Sequence, residues 1–183
     1  MKKVLLIAVA LMATLTMSAQ SMFLKPMVGG TLATVTGDVS DVKMKVGLVA
    51  GAEFGYNLNE QMAVTAGLLY TMQGYKADAA DKNCNLDYLN IPVLFNYSII
   101  PGLAVKAGPQ IGIMTRAKYG DYDIKDSYKS IDFSIPLGLS YEISDFVIDA
   151  RYNLGLSNIV DHSGDGKVKN SVIMVTLGYK IPF

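Results

Sequence analysis

The sequence predicts an all-β fold: eight antiparallel strands closed into a transmembrane β-barrel. Three observations carry that prediction. Apolar residues recur at every second position through almost the whole chain beyond its first 20 residues, the period of a strand with two unlike faces. No long unbroken apolar run follows those residues, which excludes a transmembrane helix there. The segments joining the alternating runs are short and long by turns, as where tight turns sit on one side of a membrane and long loops on the other.

The elements follow in order. Met22 to Val35 alternates least cleanly and forms the first strand. The second carries Val46, Leu48, Ala50, Ala52, Phe54 and Tyr56, and the third Met62, Val64, Ala66, Leu68, Tyr70 and Met72. The fourth carries Leu89, Ile91, Val93, Phe95 and Tyr97. Leu103, Val105, Ala107, Pro109, Ile111 and Ile113 make the fifth. The sixth is Ile131 to Tyr141 and the seventh Phe146 to Leu154, each at alternate positions. The eighth is Ile173, Val175, Leu177, Tyr179, Ile181 and Phe183. Each run has about ten residues, enough to cross a bilayer at a tilt.

None of the seven clean apolar sets holds a charge. The intervening positions hold Glu53, Lys106, Asp132, Asp149, Arg151 and Lys180, with Gln73, Asn90, Asn96, Gln110 and Asn153. A soluble sandwich would turn its polar face to water, where Lys and Glu should dominate. Sparse charges among small residues and amides fit a narrow interior, with the large apolar face against lipid. In so small a barrel side chains fill the lumen. An unpaired Arg151 there would be costly. Glu53, Lys106, Asp132, Asp149 and Arg151 are therefore expected to form a lumenal polar network that fixes packing and register. The functional alternative is an ion path.

Residues 57–61, 98–102 and 142–145 read as tight turns, and 36–44, 74–87, 115–130 and 157–170 as long polar loops. With the short turns inside, both termini lie in the periplasm. Tyr56, Tyr97, Tyr141, Phe146 and Phe183 then cluster at the periplasmic rim as an aromatic girdle. Pro26, Pro92, Pro109 and Pro136 fall within strands, although a closed barrel offers no free edge to host them. Bulges or strand ends are expected there.

Lys2 and Lys3 precede an apolar run over residues 4–15, with Thr16, Ser18 and Ala19 after it. This predicts a signal peptide over 1–19 and a barrel domain over 20–183. Its removal leaves 14 basic and 16 acidic residues, a formal charge of −2. That balance argues against a nucleic-acid partner. One His and one Cys rule out a His-rich metal site and an intrachain disulfide.

Five stretches resemble the outer-membrane β-barrel family that includes PorT-like proteins. They are Tyr70-Thr-Met-Gln-Gly74, Leu86-Asp-Tyr-Leu-Asn-Ile-Pro92, Lys106-Ala-Gly-Pro-Gln-Ile-Gly112, Asp149 to Asn158, and Leu177-Gly-Tyr179. The resemblance implies a Gram-negative outer membrane and an eight-stranded barrel of OmpX/OmpA type. It implies little about activity; PorT itself is linked to a secretion system, so an accessory subunit of such a complex is one alternative. The ending on Tyr179, Ile181 and Phe183 resembles a signal read by the barrel-assembly machinery.

No catalytic, cofactor-binding or metal set is read from the sequence. Asp161, Ser163 and Asp165 imitate the start of a calcium loop, but Val172 stands where the closing Glu belongs. His162 beside Asp161 is the only trace of a lipid-modifying enzyme, without an oxyanion motif. Cys84 reads as a free thiol in the second long loop, and Tyr119, Tyr122 and Tyr128 as a polar contact loop. The function expected is non-enzymatic, structural or adhesive. Its partners are outer-membrane lipid and a protein or glycan at the four extracellular loops.

Overall fold

Strands with one apolar face must pair on both edges in lipid, where no water satisfies a free N–H or C=O. The computed structural model describes residues 21–39, 42–77, 82–120, 122–160 and 166–183. Among them, eight long strands run antiparallel in chain order. They are β1 (Met22–Gly37), β2 (Val42–Asn57), β3 (Met62–Ala77) and β4 (Lys82–Ile100). β5 runs over Leu103–Ala107 and resumes as Gln110–Tyr119, followed by β6 (Ile131–Ile143) and β7 (Phe146–Gly155). β8 runs over Val168–Tyr179 and resumes as Ile181–Pro182. Each strand pairs with the next, and β1 pairs back onto β8 from Met27↔Gly178 to Gly37↔Val168. The sheet is therefore a closed barrel.

Its faces are those the alternation predicts. Val28, Leu48, Leu68, Leu137 and Val175 point out and are exposed, whereas Glu53, Asp149 and Arg151 point in and are buried. The aromatic rim lies at the short-turn end, where Phe146 and Tyr179 pack edge to face at 5.2 Å.

The four intrastrand prolines sit at interruptions of the ladder. Pro26 lies where β1 loses β8, between Leu24↔Ile181 and Met27↔Gly178. Pro92 lies in the gap between Ala66↔Val93 and Leu69↔Asn90. Pro109 and Pro136 flank one shared gap, between Ala107↔Leu137 and Gln110↔Ser134. A residue without an N–H is placed where no ladder bond is asked of it.

The opposite end departs from the sequence reading. The β3–β4 pairing continues to Ala77↔Lys82, and β2 pairs with β3 from Val42↔Ala77. The segments read as loops over 36–44 and 74–87 are thus largely strand. Sixteen residues at about 3.3 Å rise, tilted by about 40°, reach about 40 Å, against about 30 Å of hydrocarbon. The surplus projects beyond the lipid belt. There the apolar phase inverts: in β4, Leu89, Ile91, Val93 and Phe95 face outward, but Cys84, Leu86 and Tyr88 face inward. They join Val35, Met114, Ala117, Ile159 and Val168 in a buried apolar plug. The connection after β5 is longer; it holds a short strand, Tyr122–Asp123, and a 3-10 turn, Lys125–Ser127.

Candidate functional site: the lumen and its two ends

The lumen is layered. In the half of the barrel nearer the short turns lies an ion cluster built from four strands: Lys25 (β1), Glu53 (β2), Lys106 (β5), and Asp149 with Arg151 (β7). Arg151 Nη1 meets Glu53 Oε1 at 2.5 Å, while its Nε and Nη2 donate to the two oxygens of Asp149 at 2.5 and 2.9 Å. Lys25 Nζ lies 2.8 Å from Glu53 Oε2 and 3.7 Å from Asp149 Oδ2. Lys106 Nζ donates to Asp149 Oδ2 as well. All five residues are buried. The fork of Arg151 suits two carboxylates because its donors are planar and fixed.

Four of the five residues anticipated as a lumenal network are thus brought together. Asp132 is not among them. It lies nearer the plug, where Ser157 Oγ donates to it at 2.5 Å and Asn170 Nδ2 at 2.8 Å. Face was readable from the alternation, but height in the barrel depends on strand register. Lys25 was missed. Its place on the inner phase of Phe23, Lys25 and Met27 was the available signal, obscured by the irregular first strand.

Toward the plug, uncharged contacts replace ion pairs. Asn90 Nδ2 and Gln73 Nε2 each donate to Thr71 Oγ1 at 2.7 Å, and Gln110 donates to Ser134 at 3.0 Å. Met27, Val49, Leu69 and Met174 pack into a small apolar cluster among these layers. The plug then closes the far end. Tyr128 folds in from the third connection, its hydroxyl 3.3 Å from that of Tyr75 and 3.9 Å from Cys84 Sγ. Burial pushes the Tyr128 phenol far above its ordinary range. Cys84 is therefore a buried wall residue rather than a loop thiol, and of the three loop tyrosines only Tyr122 stands fully out, at 74% exposure. Asp161, His162, Ser163 and Asp165 lie outside the described residues, as does the segment 1–19.

At the short-turn end the lumen opens. Lys180 Nζ bonds both oxygens of Glu142, at 2.8 and 2.9 Å, and lies 5.0 Å from the centre of the Phe23 ring. The final residues close the seam with β1: Ile181 pairs with Leu24, and Phe183 N–H donates to Met22 O at 3.0 Å. Tyr179, Ile181 and Phe183 all face outward.

Known proteins agree with this architecture. No curated protein sequence matches the chain. Among solved structures, Ail, the attachment invasion locus protein of Yersinia pestis, in complex with the heparin analogue sucrose octasulfate, is similar at a TM-score of 0.56 and 18% identity, over 88% of this chain and 99% of that one. Neisserial surface protein A is similar at a TM-score of 0.53 and 19% identity, over 91% of this chain and 98% of that one. Residues 11–161 match the family described as outer membrane protein beta-barrel domain. A closed barrel with an apolar outer belt, an ion-paired lumen and this match lead to one conclusion: the chain belongs to that family and resides in the cell outer membrane.

Proposed function

We propose that the protein is a non-enzymatic barrel that acts at its extracellular end, as a structural or adhesive contact for a protein or glycan partner. The observation that carries this reading is the closed far end. Ion cluster, amide layer and apolar plug fill the lumen in succession, so among the described residues the surface left for contact is the outside of the projecting rim. The rim has a chemical bias. Lys43 lies opposite Lys76, Lys76 opposite Asn83, and Asn85 opposite Lys118. Three cations and two amides thus share the outer wall of adjoining strands, with Asp123 opposite Lys118. Lysine ammonium groups beside amide donors suit the sulfate or carboxylate groups of a glycan. Together with the sulfated ligand held by Ail, this supports an anionic glycan as the first partner to test.

The experiment is adhesion of cells displaying the barrel to heparin-coated surfaces. Wild type is expected to adhere, and Lys76→Glu with Lys118→Glu to lose adhesion at equal surface level. Adhesion equal to that of cells lacking the protein would refute the glycan partner.

A further inference from the structure

With every side chain ionised, the ion cluster carries one surplus positive charge. Lys25, Lys106 and Arg151 supply three cations, and Glu53 and Asp149 two anions, all buried. Each carboxylate oxygen has a cation within ion-pair distance: Glu53 Oε1 and Asp149 Oδ1 face Arg151, Glu53 Oε2 faces Lys25, and Asp149 Oδ2 faces Arg151 and Lys106. Each ammonium has three donors, and those of Lys25 and Lys106 outnumber the carboxylate contacts they make. A surplus buried charge is costly unless something of opposite sign meets it.

A cavity adjoins the cluster where such a partner would sit. It measures ≈ 90 Å³, and Lys25 and Lys106 both line it, with Thr65, Asn96 and Ser140. Lys180, Glu142, Asn57 and Ser98 complete its polar walls, which offer three ammonium groups, three hydroxyls, two amides and one carboxylate, the last paired with Lys180. The size exceeds the roughly 10–15 Å³ that one water requires and excludes a bulky organic acid. It has an approach: the Lys180–Glu142 pair borders both this cavity and a wider recess of ≈ 600 Å³ at the short-turn end. The opposite end is closed by the plug.

We propose that this cavity is a binding site for one small monovalent inorganic anion of the halide class, entering from the periplasmic side and held by Lys25 and Lys106. The anion completes the charge balance of the cluster and locks the lumen.

The test uses the folded full barrel in a non-ionic detergent at constant ionic strength. Gluconate, too large for the cavity, is replaced stepwise by bromide while urea unfolding is followed. Stability is expected to rise saturably, with the folding equilibrium shifted about 11-fold when bromide reaches ten times its dissociation constant. Crystals grown in bromide are expected to show an anomalous peak within hydrogen-bond reach of the Lys25 and Lys106 ammonium groups. Lys106→Met removes the surplus charge, and its stability is expected to be indifferent to bromide. No lumenal peak in wild type would overturn the proposal, and so would a bromide dependence that persists in Lys106→Met. If Lys106→Met does not fold, the wild-type crystal decides alone.

Discussion

Replacing Arg151 by Met tests whether the ion cluster holds the barrel together. The guanidinium makes three contacts, at 2.5 Å to Glu53 Oε1, 2.5 Å to Asp149 Oδ1 and 2.9 Å to Asp149 Oδ2. Two of those oxygens, Glu53 Oε1 and Asp149 Oδ1, have no other cation among the described residues. Breaking a buried pair by removing one partner costs about 3–5 kcal/mol, because the other charge is left uncompensated. At a urea slope of about 2 kcal/mol/M, that lowers the midpoint by about 1.5–2.5 M. Lys106→Met is the control. Its one contact falls on Asp149 Oδ2, which keeps Arg151, and it removes the surplus charge, so its expected cost is below about 1 kcal/mol. The assay is urea unfolding in detergent, read as the fraction of protein that keeps the folded mobility on unheated gels. An unchanged midpoint for Arg151→Met would refute the reasoning, as would an equal loss for Lys106→Met.

Three further outcomes follow from the same geometry. Leu137 faces lipid near mid-belt and Tyr141 faces it at the rim, so Leu137→Lys should cost about 2–4 kcal/mol and Tyr141→Lys about 0–1 in the same unfolding assay; equal costs would contradict the placement of the belt. Cys84 is fully buried, so a maleimide should label it only after unfolding, and rapid labelling of the folded barrel, followed by mass spectrometry, would disprove the plug. Deleting Phe183 removes its bond to Met22 O and one residue of the proposed assembly signal; less barrel should reach the outer membrane in cells, while purified protein still refolds in detergent. An undiminished yield in cells would remove the signal role.

The fold was legible because lipid enforces a single rule on one face. All seven clean apolar sets point outward, and the long strands fall where the alternation put them. The projecting rim was not legible as strand for a related reason. At Tyr88 the outside solvent changes from lipid to water, so the apolar residues move to the inner phase. A reader following outward apolar residues sees the pattern stop and reads a loop. The ion cluster was half legible. The polar phase identified Glu53, Lys106, Asp149 and Arg151 as lumenal, but nothing local separates Asp132 from them. Its height depends on Gly112↔Asp132 and Gly138↔Arg151 pairing across different neighbours. The prolines were readable only as conflicts; the ladder gaps that accommodate them are a property of two strands at once.

The inversion at Tyr88 has a thermal consequence. Below it, unfolding does not expose the outer apolar surface to water if the chain stays in lipid or detergent, so little heat capacity is gained there. Above it, the plug formed by Val35, Leu86, Tyr88, Met114 and Ile159 is withdrawn from water as in a soluble core, and opening it carries a positive heat-capacity change. The two ends of one continuous sheet therefore respond differently to cooling. The cap around the plug weakens as burial of apolar surface loses its driving force, while the membrane-embedded wall, held by closed hydrogen-bond ladders and ion pairs, does not.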